Sequence, residues 1–230
     1  MGNKSVRVRR TQAERSDETR RRVLDAAVEV LRVSGYAGFR TAAVAKAATV
    51  SRGAQAHHFP TKNSLVLGAT EHIFSRAKDR ALERVGLLDA DSDIIRALIE
   101  DSASLFMNEE FFMMLGLGLG PGRNSELAEQ ASSIARAYRL PVEQAWREAL
   151  QANGYTAQNA NDLVWLTNSI VRGLAVRSLW QKDLALYAQI LERWQAIVRA
   201  QFPAPANRNS KAGPAPPRQY DMLHLAPGNQ

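Results

Sequence analysis

Within seven residues the chain carries Arg52, Gln55, His57 and His58, side-chain types able to read the edges of DNA bases. A guanidinium donates two parallel bonds to guanine O6 and N7, and a carboxamide pairs in the same bidentate way with adenine N6 and N7. Ser51, just before them, is a helix-capping type, and a hydroxyl at a helix N-terminus also suits phosphate oxygens, as does the ammonium of Lys62. This is chemistry of recognition. No Ser/His/Asp or paired-carboxylate arrangement can be assembled elsewhere, so no catalytic residue is expected and the chain is not read as an enzyme. Four histidines (57, 58, 72 and 224) and no cysteine fall short of a metal site, and no cofactor is expected.

To face a duplex, those residues need a short helix held on a small scaffold. From Asp17 the chain turns helical, with Val23, Ala27, Val30, Leu31 and Ser34 on one face and Gly35 ending the run. Two short helices follow, Thr41 to about Ala48 and Ser51 to about His57, separated by Thr49-Val50. Thr41 and Ser51 are expected to cap them. Val44, Ala45 and Ala48 allow close approach, Val50 plugs the turn, and Gly53 leaves room for a neighbouring helix or for DNA. Phe59 anchors the end. Arg52, Ala54, Gln55, His57 and His58 are then free to face outward. A fourth helix runs from about 61 to Val85, burying Leu65, Ala69, Ile73, Phe74, Ala77, Ala81 and Leu82. Three helices, the last two short and joined tightly, make a helix-turn-helix over about residues 40–59.

The charge is placed to match. Residues 1–77 hold 14 Lys and Arg against 6 Asp and Glu, whereas the rest holds 16 against 17, so the whole net charge of +7 sits in the first third. A polyanion partner is the expected reason, with solubility as the plain alternative. At 230 residues and 45% hydrophobic the chain can bury one core or two. It has no apolar run long enough for a membrane span and no secretory leader, and its lack of cysteine fits a reducing cytoplasm.

The segment Gly35 to Lys62, GYAGFRTAAVAKAATVSRGAQAHHFPTK, resembles the DNA-binding domain of the TetR family of bacterial transcriptional regulators. The matching features are a Gly-aromatic pair after the first helix, Thr41, Val44-Ala45, Val50-Ser51, Gly53, His58-Phe59 and Lys62, over about residues 17–77. The resemblance implies an all-α homodimer whose third helix enters the major groove and whose fourth links the head to a ligand-binding body. The expected DNA-contacting set is Arg40, Thr41, Ser51, Arg52, Ala54, Gln55, His57, His58 and Lys62. Gln55 keeps a second reading, because family members often bury a leucine there. Thr49 departs from the family's usual glycine, and Ala56 from a common phosphate-binding tyrosine, for which His57 or His58 would compensate.

Further helices are expected at about 93–108, capped by Asp91 or Ser92, then 110–117, 124–152, 158–181 and 183–201, giving about nine in all and no sheet. Pro141 either kinks or splits the 124–152 segment. Phe106, Met107, Phe111, Met114, Trp146 and Trp165, with Asn168 and Arg172 as polar partners, either line an effector cavity or form ordinary core. Val164, Ile170, Val171, Leu174, Leu179, Leu186, Ile190, Trp194 and Ile197 exceed what a small body needs, and by the resemblance would pair with a second copy. The glycine run 116–122 lacks the Lys-Ser/Thr of a phosphate loop, and the acidic run 89–100 lacks the turn glycine of a calcium loop.

The expected layout is a basic disordered arm (1–16), a helix-turn-helix domain (17–77), a helical effector and dimer domain (78–202) and a disordered tail (203–230). The arm (Lys4, Arg7, Arg9, Arg10, Arg15) is either a groove contact or a frayed end. The expected function is a ligand-responsive, sequence-specific transcriptional regulator, most simply a repressor. It would bind a double-stranded palindromic operator as a homodimer, with a small-molecule effector and no membrane. The alternatives are a non-specific architectural DNA binder and a helical small-molecule carrier.

Overall fold

The computed structural model describes residues 11–89, 91–119 and 125–202. Among them are nine helices and no strand: α1 (Gln12–Gly38), α2 (Thr41–Ala47), α3 (Arg52–His58), α4 (Lys62–Gly86), α5 (Ile94–Phe106), α6 (Glu109–Leu119), α7 (Glu126–Ala152), α8 (Ala157–Arg177) and α9 (Leu184–Gln201). None of the helices so described is long and apolar enough to cross a membrane. The described residues form two compact units, one holding 11–73 together with 116–119 and 125–131, the other 74–89, 91–115 and 132–202. Expected boundaries at 77/78 and a contiguous body thus differ from the observed division.

α1 begins five residues earlier than the apolar spacing indicates. Thr11 and Glu14 form a reciprocal capping box, Thr11 N–H donating to Glu14 Oε2 at 2.7 Å and Glu14 N–H to Thr11 Oγ1 at 3.2 Å. Residues 12–16, expected in a disordered arm, are therefore helical; Lys4, Arg7, Arg9 and Arg10 lie outside the described residues, as does the tail from 203. Gly35 interrupts the helix with φ 59°, the left-handed conformation that costs glycine little, and a last turn runs on to Gly38. The core of the first unit is Val23, Leu24, Ala27 and Leu31 of α1, Phe39, Val44 and Ala45 of α2, Phe59, and Leu65, Val66 and Ala69 of α4. Each large side chain buried there stabilises the head by about 1.5–3 kcal/mol.

In the second unit α5 packs mainly on α8 and also on α9. Ile95, Leu98 and Ile99 meet Trp146, Leu150, Leu163, Val164, Val171, Tyr187 and Leu191 in one buried cluster. The cap of α5 is Asp93, not Asp91 or Ser92: its Oδ1 accepts Arg96 N–H at 3.2 Å. Its other oxygen accepts from Gln195 at 2.8 Å and Arg199 at 2.5 Å, tying the start of α5 to α9. A carboxylate that serves two ends at once outcompetes its neighbours for the cap. Pro141 is accommodated within a single α7.

Close packing in the first unit depends on Gly68. A Cβ there would lie 2.6 Å from Phe59 Cε1 and 3.1 Å from Leu24 Cδ2, inside a ring and a branched side chain that are themselves buried. Gly68→Ala is expected to lower stability by about 1–3 kcal/mol despite the better helix propensity of alanine, read as a lower urea midpoint with unchanged slope.

Candidate nucleic-acid interface

A helix-turn-helix needs its second and third helices close and its turn tight. Val44, Ala45 and Ala48 are buried, which brings α2 against its neighbours, and Val50 is half-buried in the turn. Val50 N–H donates to Ala45 O at 3.0 Å, closing the bend. Thr49 occupies the left-handed region at φ 55°, the one described non-glycine residue to do so. For a β-branched side chain this costs about 1–2 kcal/mol. Arg22 on α1 offsets it: one guanidinium nitrogen donates to Ala48 O at 2.5 Å and to Thr49 O at 3.2 Å, clasping the carbonyls of the strained turn.

α3 is built for presentation. Ser51 caps it, its hydroxyl accepting Ala54 N–H at 3.1 Å. Arg52 and His57 are exposed, Ala54 and His58 half-buried, and the two imidazoles meet edge to face at 5.4 Å. Arg52 makes no hydrogen bond or ion pair with any described residue, which leaves its five donors available.

Gln55 does not face outward. It is 4% exposed, and its amide donates to Phe59 O at 2.8 Å, satisfying the carbonyl at the helix end from inside the core. The expected adenine contact is therefore corrected: position 55 lies on the buried face of α3, and the polar residue there stays because it finds a partner.

Thr41 is the first residue of α2 and not its cap; Arg40 holds the cap position without a side-chain bond. Arg40 instead donates to Ala37 O at 2.8 Å and Phe39 O at 3.1 Å, fixing the bend before α2. Lys62 donates to Tyr36 O at 2.7 Å and lies over the Tyr36 ring at 4.1 Å, while Tyr36 OH donates to Asn63 at 2.9 Å. An ammonium has three donors, so this tether orients Lys62 and leaves capacity for a phosphate. His72 and Asp25, 2.8 Å apart, join α4 to α1.

The residues proposed for an effector site do not all come together. Phe106, Met107, Trp146 and Asn168 are buried in the second unit, and Phe111 and Met114 are half-buried. Trp165 is 61% exposed on α8, so its expected place at a cavity wall is corrected. The reason is its register: Leu163, Val164, Thr167 and Asn168 take the inward face of the helix, and position 165 points away. Of the surplus apolar set on the last two helices, Val164, Val171, Leu174 and Trp194 belong to the core, whereas Leu179, Leu186 and Ile197 are exposed together with Trp165, Leu166 and Trp180.

Sequence reasoning missed the polar ties inside this unit. Asp101 is 4% exposed and accepts from Arg84 at 2.7 Å and from the Trp146 indole at 2.9 Å. Ser102 donates to Asn168 at 2.8 Å, and the Trp194 indole to Thr167 at 3.0 Å. The signal was present: an aspartate at position 101 interrupts the apolar face marked by Ile94, Leu98 and Leu105, where burial demands a partner.

A capped recognition helix with a free arginine, docked on two others beside a tight turn, defines a helix-turn-helix DNA-binding protein. A model of bacterial regulatory proteins of the tetR family matches residues 23–69. The HTH-type transcriptional regulator CymR of Pseudomonas putida is 40% identical over 194 residues, spanning 84% of this chain and 96% of that protein. The regulator YxaF of Bacillus subtilis is 24% identical over 190 residues, 79% of this chain and 96% of YxaF. Among solved structures, a TetR-family regulator from Mesorhizobium loti has a TM-score of 0.63 at 17% identity, covering 81% of this chain and 96% of that one. FadR from Bacillus subtilis, solved in complex with stearoyl-CoA, has a TM-score of 0.53 at 20% identity, with 75% and 95% covered. The chain belongs to the TetR family and is a DNA-binding transcriptional regulator.

The strained turn yields a prediction of its own. Thr49→Gly removes the left-handed penalty but adds the entropy cost of glycine, so a net gain of about 0.5–1 kcal/mol is expected, measured as a raised urea midpoint. An unchanged or lowered midpoint would show that the clasp by Arg22 already removes the strain.

Proposed function

We propose that this chain is a ligand-responsive repressor that binds a palindromic operator as a homodimer and acts in the cytoplasm as a regulator, not an enzyme. The observation that carries the reading is Arg52: exposed, unpaired among the described residues, and set on the first turn of a helix whose opposite face is pinned by Gln55 and Phe59. Such an arginine suits guanine O6 and N7 in the major groove. Ala54, His57 and His58 share its helix, and Thr41, Ser51 and Lys62 would meet phosphates, with Arg40 shaping the approach.

Gly53 supports close contact with a duplex. A Cβ there would meet only Ser51 Oγ, at 3.9 Å, so the fold does not require glycine at this position. The expected crowding against a neighbouring helix is absent, and a DNA surface pressed against α3 is the remaining reason for it.

Dimerisation is supported by the exposed apolar residues Trp165, Leu166, Leu179, Trp180, Leu186 and Ile197, a concentration that suits a two-fold interface better than water. Two recognition helices about one DNA turn apart, roughly 34–36 Å, would then read the two half-sites. A ligand role for the body is supported by the FadR complex with stearoyl-CoA and by a fold neighbour from Saccharomonospora viridis solved with choline at a TM-score of 0.59. An effector would shift the operator-binding equilibrium by a coupling of about 1–3 kcal/mol.

Operator selection from a random duplex pool, followed by titration, tests the reading. Arg52→Ala is expected to reduce preference for the selected site by about 1–3 kcal/mol per half-site, whereas Lys62→Ala weakens all sequences alike. Equal losses on operator and random DNA for both variants, or steep salt dependence with no preferred sequence, would point instead to an architectural binder. In sedimentation the native chain should run as a dimer and Trp165→Glu as a monomer with weakened operator binding; a native monomer contradicts the palindromic arrangement.

A further inference from the structure

The turn before α3 spends its backbone donors on α2. Ala48 N–H donates to Val44 O at 2.8 Å, Thr49 N–H to Lys46 O at 3.1 Å and Val50 N–H to Ala45 O at 3.0 Å. Its carbonyls are served from elsewhere. Ala48 O and Thr49 O receive nothing from the described backbone, and their donor is Nη2 of Arg22 on α1, at 2.5 and 3.2 Å. Thr49, with φ 55°, lies at this grip, and α3 starts three residues further on at Arg52. The left-handed penalty of a non-glycine residue corresponds to about five- to thirtyfold in the ratio of backbone conformers. Released from Arg22, the turn therefore favours another angle.

α1 reaches α3 at both ends. Arg20 lies over the ring of Phe59, just past the last turn of α3, at 5.5 Å, and that ring also packs over Gly68 of α4. The far end thus has an apolar anchor on a second helix. At the near end, where the backbone is strained, the hold on the carbonyls is Arg22.

Reading a base edge demands that the near end be fixed. α3 has seven residues and is about 10 Å long, so a tilt of about 10° moves one end against the other by about 2 Å. Recognition geometry tolerates about 0.5 Å. Attraction of the basic head to phosphates survives such a tilt, because it acts over a Debye length of about 8–10 Å. Directional bonds to base edges do not survive it.

We infer that Arg22 is a positioning residue for operator reading. It touches no base, and by holding the carbonyls of Ala48 and Thr49 it fixes the angle at which α3 presents Arg52. This rests on the reading of α3 as the recognition helix and adds a residue on α1 to what determines specificity.

The test uses the full chain and the duplex it selects from a random pool. Anisotropy titrations are run on that duplex and on a scrambled one, at several salt concentrations. Arg22→Gln is compared with Arg21→Gln, which removes the same charge from a side chain paired with Glu18 and not with the turn. Arg22→Gln is expected to bind the selected duplex at least about fivefold more weakly than Arg21→Gln, while both bind the scrambled duplex alike. The slope of log affinity against log salt should match between the two. A slope lower by about one for Arg22→Gln would assign it a phosphate contact and overturn the inference.

The decisive measurement is rescue, which a merely electrostatic role would not give. With Thr49→Gly also present, Arg22→Gln should bind within about twofold of Thr49→Gly alone, because glycine holds the left-handed turn unaided. A loss carried undiminished into that background overturns the inference. Arg22 is an exposed residue, so its removal leaves the core in place. Should Arg22→Gln nonetheless unfold, the paired variant decides, and its failure to prefer the selected duplex overturns the inference equally. A native chain that prefers no duplex sinks the operator reading and this inference with it; native preference retained in full by Arg22→Gln sinks only this one.

Discussion

A helix of seven residues does not hold its shape in water, because nucleation fixes several dihedrals for each early hydrogen bond. α3 therefore takes its form from what it is docked on. Ser51 satisfies the donor end, the Gln55 amide satisfies the carbonyl at Phe59, and the Phe59 ring packs over Gly68 and Leu24. Once that inner face is fixed, positions 52, 53 and 57 can point nowhere but outward. The exposure of Arg52 is a consequence of how Gln55 and Phe59 are buried, and the recognition chemistry depends on this one docking.

The turn before α3 shows the same dependence on a distant partner. Thr49 holds a backbone conformation that its own side chain disfavours, and the carbonyls flanking it are clasped by Arg22, 26 and 27 residues away in sequence. Local preference is overruled because the angle between α2 and α3 is set by the packing of both on α1. Arg40 and Lys62 fit the same pattern: charges suited to phosphate also donate to backbone carbonyls, so the groups that would touch DNA are held ready by the head itself.

In the second unit a nearly continuous apolar core is crossed by a few polar ties whose ends are matched: Asp93 with Gln195 and Arg199, Asp101 with Arg84 and Trp146, Thr167 with Trp194. Apolar contact alone would tolerate several registers of α5 on α8 and α9. A buried carboxylate tolerates only the one in which its donors arrive.

The order of helices, their approximate ends and the location of the reading head were determined by sequence alone. Periodicity, caps and glycines act within a few residues and need no knowledge of the rest of the chain. The charge asymmetry between the first third and the remainder belongs to the same class of fact. Tertiary structure decided which face of each helix is turned inward. It sent Gln55 into the core and Trp165 out of it, moved the cap of α5 to Asp93, and brought Arg84 of α4 and the Trp146 indole of α7 onto one buried carboxylate, Asp101 of α5. A difference of one residue in register rotates a side chain by about 100° around a helix, and that rotation is fixed only when a second helix packs against the first.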